Sequence, residues 1–163
     1  MVTLTVLMGP PGAGKTTWMQ ANPGSPGRVL CSTERLRTNQ AMQSKQAAIV
    51  AYLATLRRRA EQGLRAGHDV LVDGCNTRRG DRTGWLRIAR ECSARTHLVV
   101  FDTPLPELLR VQIERGDKGV PEYKVRQYHQ EYLRALPAIP REGWARVTHV
   151  RRVSPQPKSV SKW

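Results

Sequence analysis

Acidic side chains are scarce in this 163-residue sequence: 13 Asp and Glu stand against 27 Lys and Arg, for a net charge of +14. A chain this basic attracts polyanions at long range, although a solvated basic surface without a specific partner accounts for the same number. Most of the positive charge is arginine, whose planar fork suits phosphate better than the point charge of lysine. Cysteine is rarer still. Cys31, Cys75 and Cys92 are odd in number and lack metal-ligand spacing, so they read as free thiols in a reducing compartment rather than as a disulfide framework or a zinc site. The four histidines are scattered and suggest neither a metal centre nor a catalytic dyad. No segment approaches the ~18 apolar residues needed to span a bilayer, and the opening MVTLTVLMGP lacks the charged first region of a signal peptide. The expected location is the cytoplasm, that of the host cell if the chain is phage-encoded. Internal repeats and linkers are absent too, which leaves one expected domain over 1–153 and a loose, basic, proline-containing tail over 154–163.

Apolar residues make up 39% of the chain, enough to cover a small sheet although aromatics contribute only 6%. Val2 to Met8 is a β-branched, uncharged run that reads as a buried strand. Arg28–Cys31, Asp69–Asp73, His97–Asp102 and Ala145–Val150 read as further short strands. Between them lie helix-forming stretches: Lys15–Ala21, one or two helices within 34–66, Arg79–Ala94, Leu105–Arg115 and Glu122–Leu136. Strands alternating with helices predict an α/β fold with a parallel sheet of four to five strands, covered by helices on both faces.

Gly9-Pro10-Pro11-Gly12-Ala13-Gly14-Lys15-Thr16 fits G-x-x-x-x-G-K-[ST] at every fixed position. The residue types follow from the chemistry. Glycines at 9, 12 and 14 let backbone N–H groups close around a phosphate, and the helix starting at Lys15 turns its positive dipole end to the same point. The loop from Gly12 through Ala13, Gly14, Lys15, Thr16 and Thr17 is the expected ATP-binding segment. Lys15 reaches the β- and γ-phosphates, and the Thr16 hydroxyl is a ligand for Mg²⁺. The motif sits between a predicted strand and a predicted helix, as its mechanism requires. Other P-loop proteins share the loop. The sequence has no guanine-reading N-K-x-D and no run of four apolar residues ending in Asp-Glu.

Four stretches in order resemble the phage-type 5′-polynucleotide kinases, a family of P-loop kinase domains: GPPGAGKTTW at 9–18, TERLR at 33–37, DGCNT at 73–77, and FDTPLPELLRVQIERGDKGVP at 101–121. The resemblance runs from about Val2 to Leu136. It implies a P-loop kinase fold with a helical lid. It also implies ATP and Mg²⁺ as cofactors and roles for particular residues. An acid after the second strand takes the proton of the attacking hydroxyl, and an arginine three positions later holds the neighbouring phosphate; here these are Glu34 and Arg37. The family residue is Asp, so Glu34 departs by one methylene. It also fits, less well, a helix N-terminal acid behind the caps Ser32 and Thr33. Asp73, at the carboxyl end of a strand, is placed to order Mg²⁺ or its waters, or to meet the acceptor. Asn76 is a weaker candidate of the same kind. Arg115 matches the lid arginine that bridges the departing phosphoryl group. A second lid arginine falls on Val111, and the neighbouring Arg110 is the candidate replacement.

Two basic clusters, Arg57-Arg58-Arg59 with Arg65 and Arg78-Arg79-Arg82, fit either a nucleic-acid backbone or solvated helix faces. Trp18, Tyr52 and Trp85 fit base stacking or, better, the core. The leading expectation is therefore phosphorylation of the 5′-OH of DNA or RNA by ATP. The runner-up is a DNA kinase acting on a hydroxymethylated pyrimidine base within modified DNA. A third reading, of a different class, is an ATP-binding nucleic-acid-binding module without transfer activity. The sequence has no phosphatase segment, so a two-activity end-repair enzyme is not expected within it.

Overall fold

A computed structural model describes residues 1–34 and 44–151. Arg37 and the tail over 154–163 lie outside the described residues. Five strands form one sheet: β1 (Thr3–Met8), β2 (Val29–Ser32), β3 (Val70–Asp73), β4 (Arg95–Phe101) and β5 (Arg146–Val150). Their spatial order is β2-β3-β1-β4-β5, and every pairing is parallel. Among the described residues five α-helices accompany them: α1 (Lys15–Ala21), α2 (Gln46–Arg65), α3 (Arg79–Glu91), α4 (Leu105–Arg115) and α5 (Glu122–Ala135). Short 3₁₀ turns follow α4 at Gly116–Lys118 and α5 at Ile139–Arg141.

Strand alternation divides the core into two layers. Leu4, Val6 and Met8 of β1, Val70 and Val72 of β3, and Leu98 and Val100 of β4 face one side. There they pack with Leu56, Ala60 and Leu64 of α2, Trp85 and Ile88 of α3, and Tyr132 of α5. Leu7, Leu71, Val99 and Phe101 face the other side and meet Leu108 of α4, Val125 of α5 and, more loosely, Trp18 and Met19 of α1. The three inner strands are apolar on both faces because both faces are covered. Trp18 and Phe101 meet edge to face with ring centroids 6.3 Å apart. Trp18 is thus half-buried against the core. Tyr52 ties α2 to β2, its hydroxyl donating to the Ser32 carbonyl at 2.9 Å.

All five strands run in one direction, so their carboxyl ends form one edge. That edge presents the loop after β1, Ser32 after β2, Asp73 after β3 and Asp102 after β4. In such sheets the crevice at this edge is where ligands bind.

Candidate active site at the carboxyl edge of the sheet

The loop between β1 and α1 is built from conformations that glycine allows. Gly12 and Gly14 have φ of 86° and 105°, and Gly14 sits directly before the first helical residue. A side chain at Gly12 is barred twice, because a Cβ there would lie 2.7 Å from Gln112 Nε2. Three contacts fix the loop from outside, and a fourth holds the end of β1 before it. Gly9 N donates to Cys75 O at 2.9 Å, Thr103 Oγ1 to Ala13 O at 2.8 Å, Gln112 Nε2 to Pro11 O at 3.0 Å, and Asn76 Nδ2 to Leu7 O at 2.7 Å. Lys15 Nζ donates to Gly9 O at 2.7 Å and to Pro10 O at 3.0 Å, which holds the ammonium over the loop. Left-handed glycines in the loop, a lysine over it and a helix N-terminus behind it are the makings of an anion-binding concavity.

A cleft of about 660 Å³ opens from this loop, within the roughly 300–1,000 Å³ range of small-molecule sites. Gly12, Gly14, Lys15, Thr16 and Thr17 line one end, and Glu34, Asp73 and Arg115 border the same space. Every site residue expected from the sequence is therefore brought to one cleft, with three exceptions. Arg37 is outside the described residues. Ala13 is buried in the loop, 1% exposed, and contributes backbone only. Arg110 is absent from the cleft lining. Its guanidinium pairs with Glu107 and Glu114 along the outer face of α4. The one-residue offset from Val111 is the physical cause, since adjacent residues on a helix point about 100° apart. Val111 itself is buried and packs against Gly12, with Cγ1 3.2 Å from the place a Cβ would take.

Glu34 keeps both readings. Its amide donates to Ser32 Oγ at 3.2 Å, as in a helix N-cap, and its side chain borders the cleft. Asp73 is held from β2: Ser32 Oγ donates to Asp73 Oδ2 at 3.2 Å, and Thr33 N to Asp73 O at 2.8 Å. Asn76 is engaged structurally. It is buried with a left-handed φ of 47°, spends its amide nitrogen on Leu7 O, and accepts from Trp85 Nε1 at 3.2 Å. Among the described residues no cluster of three or more His, Cys, Asp or Glu is arranged to hold a metal. The pair Thr16 and Asp73 suits magnesium, which takes one or two protein oxygens and completes its shell with phosphate and water.

Arg82 corrects the reading of the second basic cluster. It is fully buried, with Nη2 2.6 Å from Glu142 Oε1, Nε 3.0 Å from Glu142 Oε2, and Nη1 on the carbonyls of Asn76 and Thr77 at 3.0 and 2.9 Å. It braces the segment after Asp73 and is withdrawn from any solution partner. Gln112 and Thr103 were not anticipated as parts of the site. Gln112 had a signal, being the polar member of the stripe Leu108, Val111, Gln112 that α4 buries. Thr103 stands just beyond the carboxyl end of β4, next to the strand that carries the loop.

Comparisons with known proteins agree with this architecture. The chain superposes on a chain of the Pnkp1/Rnl/Hen1 RNA repair complex with a TM-score of 0.73 and 18% identity, covering 83% of this chain but only 45% of that one. Chaetomium thermophilum Kti12 in complex with ADP-AlF3 gives 0.67 and 16%, covering 94% of this chain and 91% of that one. A gluconokinase from Sinorhizobium meliloti 1021 gives 0.64 and 16%, covering 94% and 84%. Likeness at these identities shows the fold, that of a P-loop kinase, and a nucleotide-binding loop is part of it. No curated protein matches the sequence. No helix among the described residues is long and apolar enough to cross a membrane. A family model described as an AAA domain matches residues 4–138, from the second residue of β1 to beyond α5, and the chain belongs to that family.

Proposed function

We propose that this domain is an ATP-dependent polynucleotide kinase that transfers the γ-phosphate of ATP to the 5′-OH of DNA or RNA. The observation that carries the reading is the joint presence, in one cleft, of a phosphate loop, two carboxylates from neighbouring strand ends and a lid-base arginine. The loop amides and Lys15 hold the triphosphate. Glu34 accepts the proton of the acceptor hydroxyl as its oxygen bonds to the γ-phosphorus and the bond to the bridging oxygen breaks, leaving ADP. Arg115 balances the charge on the transferring group. Arg37 holds the phosphate beside the hydroxyl. Magnesium, when bound, neutralises phosphate charge, and Thr16 and Asp73 are the residues that would hold it.

The net charge of +14 supports a polymeric anionic acceptor. So does the fold shared with the RNA repair complex, although the gluconokinase likeness makes a small hydroxylated acid the natural competitor. The test offers γ-labelled ATP with 5′-OH DNA, 5′-OH RNA, DNA carrying hydroxymethylated pyrimidines, a nucleoside and gluconate. Label on 5′ ends is expected. Label on the modified base, or on gluconate alone, replaces the proposal by that acceptor. No label on any acceptor, with ATP still bound, leaves a binding module. Glu34→Gln should lower transfer to the 5′ end by roughly 10²- to 10⁴-fold, and unchanged transfer would remove Glu34 from the mechanism.

A further inference from the structure

The far end of the cleft is a groove between two helix faces. Ile49, Leu53 and Arg57 stand at i, i+4 and i+8 on α2 and share one face. Asp81 and Trp85 stand at i and i+4 on α3, and all five line the cleft. The Arg57 guanidinium lies over Gly84 of α3, where a Cβ would come within 2.9 Å of Nη2. Arg57 Nε is buried and has no hydrogen-bond partner among the described residues. A buried guanidinium donor without an acceptor is costly, and such a group in a cleft points to an anion that completes it. Asp81 sits beside it with a carboxyl that burial raises above its ordinary range, against the lowering fields of Arg78, Arg57 and Arg82. Ile49 and Leu53, backed by the buried Trp85, give the same groove an apolar wall, suited to a ring rather than to a hydroxylated chain.

We propose that this groove is the acceptor subsite, in which Arg57 binds a phosphodiester of the acceptor strand while Ile49 and Leu53 hold the adjoining base. The inference rests on the polynucleotide kinase reading for its choice of ligand, and it makes Arg57 a determinant of specificity for a phosphate-bearing acceptor. A fork of two N–H groups matches two phosphate oxygens, a contact that lysine cannot copy.

The experiment pairs enzyme variants with charge-deleted ligands. A 5′-OH trinucleotide is compared with the same trinucleotide carrying neutral methylphosphonate linkages, by calorimetric binding to the full chain. The wild type should prefer the charged ligand by roughly ten- to a hundredfold. Arg57→Gln should bind both alike, and Arg57→Lys should recover only part of the preference. Affinity for ATP should stay the same in both variants. Leu53→Ser should weaken both ligands together. Retention of the full preference in Arg57→Gln, or a wild type that does not distinguish the ligands, would overturn the subsite. So would Arg57-dependent binding of gluconate in place of the trinucleotide. The two readings fail separately. Arg57-dependent discrimination without phosphate transfer sinks the kinase reading and keeps the subsite. Transfer to 5′ ends with an indifferent Arg57 does the reverse.

Discussion

The side-chain amide of Gln112 donates to the carbonyl oxygen of Pro11 at 3.0 Å, and its own oxygen accepts the amide of Val120 at 2.9 Å. One buried residue thus ties the phosphate loop to α4 and to the segment that leads into α5. Gly12 lets it come that close. Gln112→Ala strands a carbonyl and an N–H, each costing about 1–3 kcal/mol. The expected result is a melting temperature lower by several degrees and an ATP dissociation constant raised about tenfold, measured by calorimetry. Equal ATP affinity in the variant would show that the loop keeps its shape without this brace.

Arg115 and Arg110 differ by five residues and separate cleanly in space. Arg115 borders the cleft, whereas Arg110 is paired with Glu107 and Glu114 outside it. Arg115→Ala should lower kcat by roughly 10²- to 10³-fold, the usual cost of removing a donor to developing charge. Arg110→Ala should leave kcat within about threefold and stability within ~1 kcal/mol, as for exposed pairs generally. Steady-state kinetics on both variants decide it. A large loss in Arg110→Ala would mean that the guanidinium leaves its glutamates during turnover.

Much of this site was legible because its signals are local. The phosphate loop is a contiguous string, and Leu105–Arg115 is bounded by Pro104 on one side and Gly116 on the other. Asp73 ends a run of apolar residues, so its place at the sheet edge followed from the strand assignment. Arg82 was illegible for the opposite reason. Its neighbours Arg78 and Arg79 are exposed, and nothing within ten residues marks it as buried. Its partner Glu142 lies 60 residues on and arrives only through the fold. Arg57 shows the same limit, since the sequence presents it as one of three consecutive arginines and only the packing of α2 on α3 distinguishes it. The Asn76 amide looked available because its left-handed turn and its bond to Leu7 are products of tertiary contact.

Lys15 gives a prediction that isolates binding from folding. Its ammonium is held by two loop carbonyls, at the part-buried edge of the loop. Lys15→Met should therefore leave the melting temperature of the protein alone nearly unchanged. The stabilisation that saturating ATP confers should largely disappear, because that increment follows ligand concentration over the dissociation constant. Thermal scans with and without ATP suffice. An ATP-dependent shift equal to that of the wild type would place the triphosphate elsewhere.

The buried pair Arg82–Glu142 predicts how the protein responds to acid. Burial by itself would raise the Glu142 carboxyl, but hydrogen bonds from Arg82 and Trp144 outweigh it and hold the group below its ordinary value of 4.5. A carboxylate depressed in the folded state contributes stability that is complete above its unfolded value and is lost as pH falls through the folded one. Unfolding free energy should therefore begin to drop below about pH 4.5. Glu142→Gln should flatten that decline while lowering stability at neutral pH by about 3–5 kcal/mol, because Arg82 then keeps a buried charge without its counterion. Part of the slope should survive in the variant. Asp69 is also held low, by hydrogen bonds from Ser25 and from the Thr3 amide that outweigh its burial. Urea unfolding of wild type and variant between pH 3 and pH 7 measures both quantities, and parallel curves would show that Glu142 is not protonated before the chain unfolds.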